Sequence, residues 1–276
     1  MAAGRRIGGG EGLDRRARRI VARRSRHLLS VRKDAVRRGD PDSIHDLRVA
    51  TRRLQEALEL FAPVLPARES RRLRRRARRM RRHLAVLRDA DVVAGLASGF
   101  PELRPMLRSL ALAPRALRAR SAARAGGVRV PGVRRRAARL ARACASRRLS
   151  RRAENRAQAA AVAALSRRAD RVESILKDLP LARAEEPHVL RVAVKRYRYT
   201  LELLDEAGIA DPGPALAEAR RVQEALGDLH DLDMLIHLIQ RRREARPWMA
   251  ALRRKRRAAA AAAGARLRSF RPWRAP

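Results

Sequence analysis

Two histidines head the same pattern at separate places in this chain. His45 opens HDLRVATRRLQEALEL, and His188 opens HVLRVAVKRYRYTLEL. Aligned without a gap, His45 meets His188, Arg48 meets Arg191, Arg52 meets Lys195, Arg53 meets Arg196 and Glu59 meets Glu202. Histidine occurs only 6 times in 276 residues, so two of them leading one pattern mark an internal repeat rather than an accident of arginine content. A second pair of segments follows at a register one residue shorter. LAVLRDADVV from Leu84 matches LGDLHDLDML from Leu226, which places Leu87 with Leu229, Asp89 with Asp231 and Asp91 with Asp233.

The chemistry these residues could do is the capture of anions. With His45 set at zero on a helical wheel, Arg48 falls at about 300°, Arg52 at about 340° and Arg53 at about 80°, while Leu47, Thr51, Leu54, Leu58 and Phe61 lie opposite. In the second copy Arg191, Lys195 and Arg198 share the side of His188, and Leu190, Val194, Tyr197, Leu201 and Leu204 take the other. Each segment therefore predicts a helix with an apolar stripe for a core and a basic stripe headed by histidine. Pro41 and Pro187 stand near the predicted helix starts, where proline is well tolerated and free N–H groups favour anions. Glu59 and Glu202 are expected to pair with neighbouring arginines and hold them in place.

The aspartate segments read differently. Asp91 continues the core stripe of Leu73, Ala77, Met80, Leu84 and Leu87, and Asp233 extends Val222, Leu226 and Leu229. A carboxylate on a buried stripe needs a partner. Asp89, Asp91, Asp231 and Asp233 are accordingly expected to accept bonds from basic side chains or helix ends, as structural residues rather than as a metal cluster. Arg78 and Arg79 have counterparts at Arg220 and Arg221, so these four, with Arg88, join the candidate anion-binding set. No HxxxH or HExxH pair and no nucleotide-binding glycine loop is present; the reading is of no metal, no cofactor, no catalytic residue and no enzyme.

Lys and Arg number 68 against 28 acids, a formal net charge of +40. An excess of that size calls for a partner of opposite sign. The cations are nearly all arginine, whose planar fork suits phosphate oxygens. Aromatic residues make up 3% of the chain, which argues against modules that stack bases on exposed rings. The alternative to a dedicated anion groove is sequence-independent nucleic-acid binding of a nucleoid type, for which the signal is electrostatic alone. One cysteine, Cys144, fits a reducing compartment. No secretory signal and no membrane span is expected, and the reading is cytoplasmic.

The elements that must position these residues are helices. Long Ala-, Leu-, Arg- and Glu-rich stretches without apolar alternation predict an all-α fold. Breaks are expected at Gly39 to Pro41, Pro63 to Pro66, Gly99 to Pro101, Gly126 to Gly132, Pro180 to Pro187, Gly208 to Pro214 and Pro247. The organisation read from these is a disordered N-terminus over 1–11, a first helical bundle repeat over 12–125 and a basic connecting segment over 126–149. A second bundle repeat covers 150–245, and a C-terminal basic helix and tail cover 246–276, with the tail after Phe270 expected to lack fixed structure.

HDLRVATRRL at His45, LRDADV at Leu87, HVLRVAVKRYRYTLELL at His188 and LGDLHDLD at Leu226 resemble, in order, the motifs of the CHAD family, named for conserved histidines in an α-helical domain. The resemblance covers about residues 12 to 245. It implies two pseudo-symmetric four-helix bundles, with basic histidine-headed helices lining a cavity between them. It further implies non-catalytic binding of inorganic polyphosphate, at polyphosphate granules or beside polyphosphate-metabolising enzymes. Carried over, the contacts would be His45, Arg48, Arg52 and Arg53, with His188, Arg191, Lys195, Arg196 and Arg198. Gln55 departs from the basic residue common at its place, and His230 stands where Arg88 aligns. The glutamate-rich β-domain attached to some relatives is not evident in the sequence.

Overall fold

Proline or glycine marks several of the helix boundaries: Pro41 opens one helix, Pro66 precedes another, and Gly208 to Pro214 separate two more. A computed structural model of the chain describes residues 11–38, 40–85, 100, 103, 135–140, 142, 149–177 and 186–275. Within these the secondary structure is helical: α1 (Leu13–Arg38), α2 (Pro41–Leu60), α3 (Ala67–Ala85), α4 (Arg151–Lys177), α5 (Glu186–Glu206), α6 (Pro214–Ile239) and α7 (Arg246–Ser269), with a 3-10 turn at Arg243–Ala245. Arg88, Asp89 and Asp91, the breaks at Gly99 to Pro101 and Gly126 to Gly132, and the first ten residues lie outside the described residues.

The chain divides into two compact units, one of Met1–Arg88, Ala113–Ala164 and Leu203–Asp211, the other of Asp89–Leu112, Leu165–Glu202 and Pro212–Pro276. In the first, α1 packs on α2 and α2 on α3. Its core takes Ile20 and Leu28 from α1, Leu47, Leu54 and Leu58 from α2, and Leu73, Met80 and Leu84 from α3, all buried. Burial of each large apolar side chain contributes roughly 1.5–3 kcal/mol. The α5 helix ends in a Schellman closure: Ile209 N–H donates to the Leu204 carbonyl and Gly208 N–H to that of Asp205, each at 2.9 Å. Gly208 has a φ of 60°, the left-handed conformation that this closure requires and glycine adopts without penalty. Arg16 Nη1 donates to the Gly208 carbonyl at 3.4 Å, and Arg23 and Arg24 both pair with Glu206.

In the second unit α6 packs on α7. Phe100, Leu103, Leu235, Ile239, Ala245 and Leu252 form one apolar cluster there, and Lys255 Nζ stands 4.4 Å from the centre of the Phe100 ring. The tail after Phe270 has a fixed course, contrary to expectation. Phe270 sets its ring edge-on to Tyr197 at 6.2 Å. The Tyr197 hydroxyl donates to the Trp273 carbonyl at 3.0 Å, and Arg274 reaches Asp170 at 2.5 Å and Glu173 at 2.9 Å. Specific side-chain bonds thus outweigh the entropy that normally frees a terminal segment.

Candidate functional site

On α2 the apolar and basic stripes separate as their periodicity predicts. Leu47, Thr51, Leu54, Leu58 and Phe61 are all buried. On the other side His45 is exposed, and Arg48, Arg52 and Arg53 are half-buried. Half-burial of an arginine covers its aliphatic stem while the charged head stays near water. From α1, Arg24 Nη1 lies 3.5 Å from the Arg53 carbonyl. The helix start is already occupied by a carboxylate: Asp40 is the N-cap, accepting a bond from the Ser43 N–H at 2.8 Å. That bond holds the Asp40 carboxyl below its ordinary value. The anion-attracting N–H groups of α2 are thus partly satisfied from within, and His45 sits beyond them, on the helix flank.

The second copy, α5, repeats this only over its first turns. Leu190, Val194, Tyr197, Leu201 and Leu204 are buried, as the stripe requires. His188, Arg191 and Lys195 are half-buried and Arg196 is exposed. From residue 197 to residue 201 every side chain is buried. Arg198 is 9% exposed; its Nη1 binds Glu202 at 2.5 Å, its Nε binds Gln223 at 2.9 Å, and its guanidinium lies 4.7 Å from the Tyr199 ring centre. Glu202 does hold arginines, as expected, since Arg220 also stands 3.7 Å from it.

Next to the head of α5, the ring of His230 on α6 lies 4.9 Å from that of His188. His230 is 8% exposed. The sequence marks it only as a departure from the residue aligned with it; its proximity to His188 needs the fold. Arg78 and Arg79 on α3 are exposed, as are Arg220 and Arg221 on α6. Glu59 is exposed and Asp231 half-buried. Asp233 accepts a close ion pair from Arg256 of α7, with only 13% and 18% of the two side chains exposed, so its expected basic partner is present. Arginines of α3, together with Arg136, also line a hollow of about 870 Å³, which the wheel of a single helix does not reveal. Among the described residues no three His, Cys, Asp or Glu side chains gather closely enough to hold a metal ion. No helix of the described residues is long and apolar enough to cross a membrane.

Comparisons with known proteins place this arrangement. The family model of the CHAD domain matches residues 19–240. Among solved structures, the CHAD domain from the plant Ricinus communis superposes with a TM-score of 0.65 at 21% sequence identity, covering 100% of this chain and 98% of that one. No curated protein matches the sequence. The family model spans both histidine-headed repeats and the solved domain shares the helical fold along the whole length: the chain belongs to the CHAD domain family.

Proposed function

We propose that this chain binds inorganic polyphosphate, without catalysis, through the histidine-headed basic faces of α2 and α5. One observation carries the reading. The same positions in both repeats back onto a buried apolar stripe and present His45, Arg48, Arg52 and Arg53, and again His188, Arg191, Lys195 and Arg196, at or near the surface. Residues three and four apart on a helix have Cβ atoms about 5–6 Å from one another, so a linear chain of phosphates along that face meets several forks in succession. Each phosphate neutralised releases condensed counterions, by analogy with DNA, and affinity accumulates along the polymer.

In this reading Arg198 and Glu202 are positioning residues, since Arg198 is engaged by Glu202 and Gln223. Arg78, Arg79, Arg220 and Arg221 extend the basic surface, with Arg88 in the same set by alignment. Family membership supports the ligand, because polyphosphate binding is what the CHAD motifs imply, along with association with granules or polyphosphate-metabolising enzymes in the cytoplasm. The +40 charge supports the competing reading, in which any nucleic acid would serve. Equilibrium binding of length-defined polyphosphate at two salt concentrations, with duplex DNA as competitor, decides between them. Polyphosphate is expected to be retained against DNA at equal phosphate; displacement would replace this reading with nucleic-acid binding.

A further inference from the structure

The α3 helix carries a concentration of positive charge that its counterpart α6 does not. Leu73, Ala77, Met80 and Leu84 fill the core. The opposite face, spanning about 160° of the wheel, belongs to Arg72, Arg75, Arg76, Arg79 and Arg82 with Arg78 at its edge. These six and Arg136, from the helical stretch at 135–140, line the hollow of about 870 Å³, and every lining residue among those described is an arginine. Glu69 lies at its edge, 3.4 Å from Arg72 Nη1 and 3.6 Å from Arg136 Nη1.

The internal repeat supplies the control. At the register that pairs Leu84 with Leu226, Arg78 and Arg79 meet Arg220 and Arg221, but Arg75 meets Ala217, Arg76 meets Glu218 and Arg82 meets Glu224. There Glu218 stands 3.6 Å from Arg221. The hollow on that face is about 220 Å³, lined by Glu224 and Asp228 as well as Arg221 and Arg266, with α7 alanines completing it. One repeat thus places acids of its own helix on this face; among the described residues of the other, arginines line it and Glu69 stands at its edge.

We propose that the Arg72–Arg76–Arg136 hollow is a second anion site, private to the first repeat, which takes a compact oligophosphate: several phosphoryl groups linked in a short chain. Seven guanidinium groups around one cavity repel one another, and a multivalent anion relieves that repulsion. The Arg136 guanidinium is pushed below its ordinary value, by burial first and then by neighbouring Arg72, which reports the same crowding. A lone phosphate satisfies one or two forks; linked phosphates offer paired oxygens to several at once. Arg72 is bonded to Glu69, and Arg136 stands within ion-pair distance of the same carboxylate, so part of the site is ordered before the ligand arrives. None of His45, Arg48, Arg52 or Arg53 lines the hollow, although Arg78 and Arg79 of the proposed polyphosphate surface do; the test therefore rests on Arg75, Arg76 and Arg82, which that reading does not use.

Calorimetric titration of the full chain with inorganic tripolyphosphate tests this. R76E/R82E installs the second repeat's own residues and is expected to remove one binding equivalent. R253E/R254E makes the same charge change on exposed α7 positions and is expected to keep it. R75A/R82A adds no acid at two exposed positions, should retain its helical circular dichroism, and should weaken binding at least roughly tenfold, the loss of one charge-assisted bond. Unchanged stoichiometry and affinity in R76E/R82E, equal loss in R253E/R254E, or displacement by duplex DNA at equal phosphate overturns the site. ATP as a second probe separates sources: tripolyphosphate retained against ATP assigns an inorganic ligand, and displacement assigns any linked triphosphate; each outcome supports the site. R48E/R191E is expected to lower long-chain polyphosphate affinity while leaving the tripolyphosphate equivalent intact, so either reading can fall without the other.

Discussion

The imidazoles of His188 and His230 stand 4.9 Å apart, their planes inclined by 44°. One heads the basic stripe of α5 and the other comes from α6, so the first proposed contact residue of the second repeat is set by a neighbouring helix as well as its own. Groups in contact couple, by roughly 0.5–3 kcal/mol in double-mutant cycles. In polyphosphate titrations H188A and H230A are each expected to weaken binding, and H188A/H230A to lose less than their sum. Strict additivity would show that the two rings act separately.

Charge reversal should discriminate between a defined face and a diffuse one. R48E and R191E are expected to lower long-chain polyphosphate affinity and to flatten its salt dependence, whose slope falls by about one per phosphate contact removed. R253E and R254E, on the exposed side of α7, are expected to do much less. Equal losses at both places, measured at matched ionic strength, would mean that only net charge counts.

Asp233 and Arg256 join α6 to α7 by an ion pair that is largely out of water. Removing one member of such a pair strands the other, at a cost of about 3–5 kcal/mol. D233A and R256A should each lower the urea midpoint substantially. D233A/R256M should recover most of the loss, because no unpaired charge remains.

The Tyr197 phenol is pushed up to about 12 from an ordinary 10.0, chiefly by burial. Burial penalises the phenolate in the folded chain. The associated stability is therefore complete below the unfolded value and disappears as pH rises through about 12. Y197F should cost about 1 kcal/mol at neutral pH and should remove the tyrosine-dependent part of the alkaline transition, followed by circular dichroism.

Asp40 works in the opposite direction. Its carboxyl is lowered by the Ser43 N–H, so its stabilising effect is complete above the ordinary carboxylate range and fades as pH falls through the depressed native value. D40A should destabilise the chain by about 1 kcal/mol at neutral pH and by progressively less in acid. A constant difference across the acid range would assign the loss to something other than this cap.

Periodicity carried most of the helical reading, because a helix core is a property of one sequence face. The stripes from Leu47 to Phe61 and from Leu190 to Leu204 are buried as read, and Pro41, Pro214 and Pro247 fall within the first turn of their helices. What a wheel cannot report is which polar residues the neighbours enclose. Arg198 and Tyr199 sit on the basic side of α5 by angle, yet both are buried, because Gln223 of α6 comes to meet Arg198. Composition also misreads the tail: RPWRAP has the proline and arginine content of a free end, but Arg274 finds Asp170 and Glu173 over separations of 104 and 101 residues. The hollow beside α3 was not legible: in sequence its arginines are a dense basic run that a solvated face would share, and Arg136 joins them only in the fold.

The fastening of residues 270–274 onto Tyr197, Asp170 and Glu173 sets an order on biosynthesis. A ribosome delivers α4 and α5 before it delivers Trp273, so these bonds cannot form until residues 270–274 have emerged. The second unit therefore reaches its final form late, once the last stretch of this sequence has cleared the exit tunnel.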